Sequence, residues 1–251
     1  MFKNTITFSA HEDYVNNCEK DDFPVPIKLN IPDWYKKMKH GFGNKTLKGC
    51  IPFLDTLTSG YLLKNPQDLR INHNVFNNEL GKQDSFSHVG RIDPGYLSSR
   101  LINLTVDPSK EVHPVNQVEG SPLLEKNKNL PVYKILNPWI IKTPPGYSTL
   151  FLPPMNNGDD RFSIIPGIVD TDTFQFEVNF PFIINGDKYQ SLQTVIKKGT
   201  PYCQVIPFKR DSWQMKIKKL KIKDMAGSKN LYWTRMLNIY KNKFWSKKTW
   251  T

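Results

Sequence analysis

The sequence contains little cysteine, no long hydrophobic run and no internal repeat. Its three cysteines are widely separated, so we expect reduced thiols in a cytosolic setting, without a disulfide framework or a thiolate metal site. No apolar stretch reaches the length of a membrane span, and the first residues lack the apolar centre of a signal peptide. Because 38% of the residues are hydrophobic and 12% are aromatic, a disordered chain is also excluded.

The usual signatures of catalysis are missing as well. The five histidines never pair at the spacing of metal ligands, and hydrogen-bonded or surface histidines are the expected interpretation. No glycine-rich phosphate loop follows a strand, and no Gly-x-Ser-x-Gly nucleophile elbow occurs. We therefore expect no bound cofactor. The stretch "IIPGIVDTDTFQFEVNF", with Asp170 and Asp172, is the principal candidate for chemistry.

The positive charge is concentrated at the C-terminus. The chain has 35 Lys and Arg and 23 Asp and Glu, a net charge of +12. Residues 209–251 contribute 13 basic and two acidic side chains, so the other 208 residues are almost neutral. An electrostatic partner is therefore expected to bind the C-terminal segment.

Nineteen prolines and frequent glycine, asparagine and aspartate divide the chain into short segments, which predicts a mainly β fold. We expect an N-terminal extension (residues 1–49), a β-rich core (50–210) and a basic, aromatic C-terminal arm (211–251). In the extension, "IPDWYKKMKHG" predicts a helix, with proline in its first turn and glycine after its end. In the core, "DLRINHNVF" alternates as a strand does, whereas residues 77–100 are polar and predict loops.

Strands are predicted at regular intervals from Trp139 onward. "WIIKTPPGYSTLFLPP" predicts two apolar strands around a Pro-Pro-Gly turn, and "TVIKKGTPYCQVIPFKR" predicts two strands around a glycine turn. The alternation of Phe174, Phe176 and Val178 predicts a strand with one buried face. Short strands at this spacing are typical of a compact barrel or sandwich.

The C-terminal arm predicts a strand followed by a helix. "WQMKIKKLKIK" alternates, slips by one residue and resumes, as a bulged edge strand does. Ser228 then caps a predicted amphipathic helix whose packed face has the spacing of Trp233, Leu237, Tyr240 and Phe244. Two tryptophans fall off this face and are expected, with neighbouring lysines, to contact a partner or nucleic acid; these residues are Trp245, Trp250, Lys243, Lys247 and Lys248.

Residues 139–210 resemble the β-clip core of trimeric dUTPases and dCTP deaminases. "TPPGYSTLFLPP" is similar to the strand that leads into the second motif of that family, and "PGIVDTDTF" to the third motif. "IKKGTPYCQVIPF" is similar to the fourth motif, with Gly199 and Gln204 in register. The resemblance implies a dUTPase-like β-clip core that self-associates. It also implies that Asp170 orients the attacking water, and that Gln204 and Gly199 contact the nucleotide.

The chain departs from that family where catalysis would occur. The aromatic residue that packs under the sugar should follow Asp172, but Thr173 occupies that position. The Arg-Ser pair of the second motif is missing from "LPPMNNGDD", and Thr200 and Pro201 follow the glycine of the fourth motif. A triphosphate needs arginines and backbone N–H groups to hold it. The family's chemistry is therefore not expected to be kept in full.

Asp170 and Asp172 admit two interpretations. As functional residues, they would orient a water molecule or bind Mg²⁺. As structural residues, they would form an Asx-type turn at the end of a strand, with their side chains accepting hydrogen bonds from backbone N–H groups. The structural interpretation is favoured because the expected phosphate-binding groups are missing.

Several stretches, among them "GCIPFLDTLTSGYLL" and "NPWIIKTPPGYSTLFLPP", also resemble an uncharacterised family of tailed phages. That resemblance implies a phage protein in the cytoplasm of a host bacterium or on the virion, with a phage or host protein partner. We expect a protein without catalytic activity that acts in binding or assembly. The first alternative is a divergent nucleotide-processing enzyme, a pyrophosphatase or deaminase-like protein, that uses Asp170 with Mg²⁺. The second is single-stranded nucleic-acid binding through the basic tail.

Overall fold

The computed structural model of the chain describes residues 4–41, 43–91, 113, 115–123, 130–221 and 240–251. Antiparallel strands dominate these residues, so the prediction of a mainly β fold is confirmed. The strands are β1 Thr7–Ser9, β2 Val25–Pro26, β3 Tyr61–Lys64, β4 Leu69–Asn77, β5 Gln83–Arg91, β6 Tyr133–Ile135, β7 Ile140–Lys142, β8 Tyr147–Leu152, β9 Phe162–Ile164, β10 Gly167–Val169, β11 Phe180–Ile184, β12 Ser191–Ile196 and β13 Pro201–Lys209.

The helices of the described residues are all short. The α-helices are α1 Glu12–Asn17, α2 Asp33–Lys37 and α3 Ile51–Thr56. One-turn 3₁₀ helices lie at Lys20–Asp22, Ile27–Asn30, Leu47–Gly49 and Val115–Val118, and a π-helical turn lies at Tyr240–Phe244. The predicted helix in the N-terminal extension is α2, which is shorter than its sequence pattern. Among the described helices, none is long and apolar enough to cross a membrane.

The chain divides into two compact units, each built from two separate segments. Unit 1 comprises Met1–Val25 and Gly60–Lys209, and unit 2 comprises Pro26–Ser59 and Arg210–Thr251. Unit 1 therefore takes residues from both the predicted N-terminal extension and the predicted core. Unit 2 joins the rest of that extension and the first ten residues of the predicted core to the C-terminal segment.

The described residues of unit 1 form four antiparallel sheets around one hydrophobic core. Strand β13 lies between β8 and β3, with β10 beyond β8 and Val25 at the edge beside β3. The other sheets have the orders β6-β11-β9, β12-β4-β5 and β1-β7. Apolar side chains from all four sheets meet in the core, among them Leu63, Ile71, Ile141 and Phe182. Within the described residues the sheets stay open, so a closed barrel is not formed.

Two predictions for unit 1 are wrong. Residues 174–179 do not form a strand with a buried face, since Phe174 is 38% exposed and Phe176 is 68% exposed. The two rings pack edge to face, 5.7 Å apart. The polar stretch predicted as loops contains β5, which pairs with β4 along its whole length. The predicted strand "RLINLTV" lies outside the described residues.

Unit 2 has a small core of its own residues. Tyr35 of α2 is buried and stacks on Phe53 of α3, with ring centroids 5.9 Å apart. Ile27 and Leu57 are also buried. The bulged strand predicted in the C-terminal arm is wrong, because residues 210–221 have no regular secondary structure.

Candidate functional site

Asp170 and Asp172 lie just after the edge strand β10. Val169 pairs with Thr149 of β8, which places Asp170 beside Ser148. The Ser148 hydroxyl donates a hydrogen bond of 2.6 Å to the Asp170 carboxylate, and the backbone N–H of Gly146 donates one of 2.8 Å to Asp172. Both carboxylates therefore accept hydrogen bonds from residues 146–148, in the start of β8 and the turn before it, as turn-forming aspartates do.

Thr171, between the two aspartates, fixes this loop from inside. Its hydroxyl is fully buried and lies 2.7 Å from the hydroxyl of Thr143 and 2.7 Å from that of Thr149. The Asp170 carbonyl also accepts hydrogen bonds from the backbone N–H groups of Thr173 and Phe174. The side chains of the Asp-Thr-Asp stretch thus alternate in direction. The threonine side chain is buried, and the two aspartate side chains are bonded to residues 146–148.

Gln204 and Gly199 lie away from the two aspartates. Gln204 is fully buried on β13, and its side-chain oxygen accepts a 2.9 Å hydrogen bond from the backbone N–H of Met155. It pairs with Leu152, four residues along β8 from Ser148, a separation of about 13 Å. Gly199, with φ +82°, forms the turn before β13. The structure therefore does not bring the predicted nucleotide-contacting residues together with the aspartates within one chain.

The side chain of the arginine nearest to the second-motif stretch is already hydrogen-bonded within the chain. The Arg161 guanidinium forms two hydrogen bonds of 2.9 and 3.1 Å from Nε to the Asp159 carboxylate. It also donates to the Thr194 hydroxyl at 2.7 Å and to the Val195 carbonyl at 3.0 Å. The adjacent Asp159 raises the pKa of Arg161. The Arg161 side chain therefore links the loop before β9 to strand β12 through hydrogen bonds.

Within the described ranges, histidine, cysteine and acidic side chains form no cluster of three or more that could hold a metal ion. The three cysteines are free thiols. Burial raises the pKa of the Cys203 thiol well above its ordinary value, which keeps it in its unreactive protonated form.

Trp245 and Lys248, predicted to contact a partner, both bind Asp55 of α3 inside unit 2. The indole N–H of Trp245 lies 3.1 and 3.2 Å from the two carboxylate oxygens. The Lys248 ammonium lies 2.7 Å from the same carboxylate and 5.7 Å from the centre of the indole ring. These contacts tie the C-terminal segment to α3.

The other residues predicted in the tail differ in exposure. Trp250 is half-buried, whereas Lys243 and Lys247 are exposed. Tyr240 and Phe244, predicted on a packed helical face, are 42% and 65% exposed in the π-helical turn, so that prediction is wrong for them. The remaining residues of the predicted helix, Ser228, Trp233 and Leu237, lie outside the described residues.

The three most exposed large apolar side chains of the described residues, Trp213, Met215 and Ile217, lie in one segment, residues 212–221, here called the arm. Its large apolar side chains are exposed by 91%, 86%, 86% and 71%, for Trp213, Met215, Ile217 and Leu220 respectively. Four lysines alternate or are interspersed with them, and the arm contains no acidic residue. Every residue of the arm is exposed, so its apolar and positive side chains are all open to solvent.

Unit 2 carries all the excess positive charge of the protein. It has 18 Lys and Arg against four Asp, a net charge of +14, whereas unit 1 has 17 basic and 19 acidic residues, a net charge of −2. Sequence reasoning located the basic tail but missed that residues 26–59, with six lysines and two aspartates, join it. The run of lysines in residues 26–59 is the sequence feature from which this contribution could have been predicted.

Comparison of the chain with protein-family models, with curated proteins and with solved structures gives no match. The resemblances to the dUTPase β-clip and to the tailed-phage family therefore stay predictions.

Proposed function

We propose that this protein is a binding protein without catalytic activity, and that unit 2 holds a polyanionic partner through the arm. The single observation that carries the proposal is the exposure of the arm, where an indole and three aliphatic side chains lie open to water among lysines. Monomeric proteins rarely leave large apolar groups together in solvent unless a partner covers them.

The charge of the unit selects the kind of partner. A net charge of +14 in 76 residues attracts anions over distances of about 10 Å at moderate ionic strength. The four arm lysines have no acidic neighbour inside the arm to neutralise them. A partner with repeated negative charges would neutralise several lysines at once and release counterions.

The hydrogen bonds of the two aspartates favour a binding function without catalysis. Asp170 and Asp172 accept hydrogen bonds from Ser148 and from Gly146, and Arg161 is held by Asp159. Arg161, the arginine nearest to the second-motif stretch, is therefore already engaged by a carboxylate of its own chain. The assembly role, self-association and a phage context remain part of the proposal through the family resemblance.

The experiment is a titration of fluorescein-labelled heparin, followed by anisotropy at increasing salt. We expect wild-type protein to bind with an affinity that falls steeply with salt. Replacing two arm lysines, K218Q/K219Q, is expected to weaken binding by about tenfold or more, because each lysine near a polyanion contributes about 1 kcal/mol. The loss should be largest at low salt.

The matched control is K20Q/K82Q in unit 1, which removes the same charge from two exposed positions. We expect its affinity for heparin to stay near that of the wild type. Equal losses in the two variants would mean that only net charge matters, and the arm would lose its assigned role.

The enzyme alternative has its own assay, pyrophosphate release from deoxynucleoside triphosphates with Mg²⁺. We expect no turnover by the wild type and no shift in melting temperature with any nucleotide. Turnover that is abolished by Asp170→Asn would contradict the proposal and make the Asp-Thr-Asp stretch an active site.

A further inference from the structure

A broad groove in unit 2 is lined almost entirely by basic side chains. The lining residues are Lys36, Lys37, Met38, Lys39, His40 and Lys48, around a volume of about 590 Å³. None of them is acidic. Such a concentration of positive charge around one concavity raises the local concentration of anions.

The sequence places these lysines together through two short helices. Helix α2 ends at Lys37, so two lysines lie in its last turn, and Lys39 follows after Met38. Lys48, in the 3₁₀ helix Leu47–Gly49, donates a 2.8 Å hydrogen bond to the Lys36 carbonyl. The ion pair of Lys36 with Asp33 is 3.4 Å long and exposed on both sides, so it neutralises little charge.

His40 is held in a fixed orientation beside these lysines. Its Nδ1 accepts a 3.0 Å hydrogen bond from the backbone N–H of Thr46, so the neutral ring carries its proton on Nε2. The ring lies against Gly49, where an added Cβ would be 2.3 Å from its Cε1 atom. The exposed imidazole thus offers an N–H donor at the groove.

We propose that this groove binds the phosphate groups of a single-stranded nucleic acid. The inference rests on the proposed function, since it names the polyanion and a second contact surface beyond the arm. Lysines supply point charges for phosphates, and the Nε2–H of His40 supplies a directional donor. The groove is open to solvent, so a phosphodiester chain can reach its lysines.

Exposed tryptophans of unit 2 favour a single strand over a duplex. Trp34, on the same helix α2, is 46% exposed, and Trp213 of the arm is 91% exposed. Aromatic faces stack on unpaired bases, each worth about 1–3 kcal/mol by alanine substitution. Unpaired bases are available in a single strand and are hidden inside a duplex.

The test is anisotropy of a labelled thymidine oligonucleotide at several salt concentrations, with the K37Q/K39Q variant and the K20Q/K82Q control. Both groove lysines and both control lysines are exposed. For a single strand, each lost phosphate contact lowers the slope of log affinity against log salt by about 0.7. We expect that decrease for both groove lysines and an unchanged slope for the control.

Three outcomes would overturn the groove assignment. The first is a salt slope of K37Q/K39Q equal to that of the control. The second is equal or tighter binding of a duplex or of anionic phospholipid vesicles. The third is binding of heparin by the wild type without binding of the oligonucleotide. Failure of the wild type to bind either heparin or oligonucleotide would instead overturn the proposed function itself.

A second variant tests the position of His40. Gly49→Ala forces the imidazole away from its place beside the Gly49 backbone, while all four lysines are kept. We expect weaker oligonucleotide binding with an unchanged salt slope, because no charge is removed. Affinity equal to wild type in Gly49→Ala, with the melting temperature unchanged, would remove His40 from the proposed site.

Discussion

Replacing Gly60 with alanine is expected to destabilise the protein by about 3 kcal/mol or more. Gly60 has φ +84°, and an added Cβ would lie 2.2 Å from the Val205 carbonyl oxygen. That carbonyl belongs to β13, which is paired on both sides by β3 and β8. Because the strand is held on both sides, it cannot move away. The measurement is the free energy of unfolding from urea titration.

The matched control is Gly199→Ala. Gly199 has nearly the same backbone conformation, φ +82°, but nothing lies within 4 Å of its added Cβ. Gly199→Ala is therefore expected to lower the free energy of unfolding only by the cost of the backbone conformation, about 1–2 kcal/mol. The difference between the two variants therefore measures the close approach to β13. Equal destabilisation by both would contradict the packing of Gly60 against that strand.

Phe182→Ala is expected to cost about 3–5 kcal/mol, whereas Phe176→Ala should change stability by less than about 0.5 kcal/mol. Phe182 is fully buried on β11, the central strand of its sheet. Its ring packs against Tyr133 at 5.6 Å and Phe162 at 5.9 Å. Phe176, only six residues earlier, is 68% exposed, so its removal leaves no cavity.

Urea unfolding of the two alanine variants checks this pair directly. The alternation of Phe174, Phe176 and Val178 in the sequence predicts a buried strand face. A cost of several kcal/mol for Phe176→Ala would restore that prediction and contradict the structure. A small cost for Phe182→Ala would contradict the position of the core.

The local pattern predicted where strands lie better than how they pair. "TVIKKGTPYCQVIPFKR" does form two strands around a glycine turn, as predicted. However, β12 pairs with β4, and β13 pairs with β3 and β8, so the two neighbours in sequence belong to different sheets. Alternation reports which face of a strand is buried, but the choice of partner depends on residues far away in the chain.

The remaining wrong predictions concern a polar segment that forms a strand and an alternating segment that does not. Strand β5 contains serine, glutamine and aspartate and lacks a hydrophobic pattern, yet it pairs with β4 over nine residues. The arm has a strand-like pattern, yet it has no regular structure. In both cases the backbone partner, which the local sequence does not specify, decides the outcome.

The candidate sites could be predicted only in part. The basic C-terminal tail was apparent from composition, and its lysines are what the proposed function uses. The contribution of residues 26–59 depends on contacts between distant segments of unit 2. The attachment of Trp245 to Asp55 joins residues 190 positions apart, and no spacing rule in the sequence would find it.

The central claim is that a polyanion lies on the arm of unit 2. It is tested most directly by acetylating the lysines of the wild-type protein with and without bound heparin and measuring each site by mass spectrometry. We expect heparin to protect Lys216, Lys218, Lys219 and Lys221, and to leave Lys20 and Lys82 as reactive as in the free protein. Equal protection of both sets, or protection of unit 1 lysines alone, would contradict the claim.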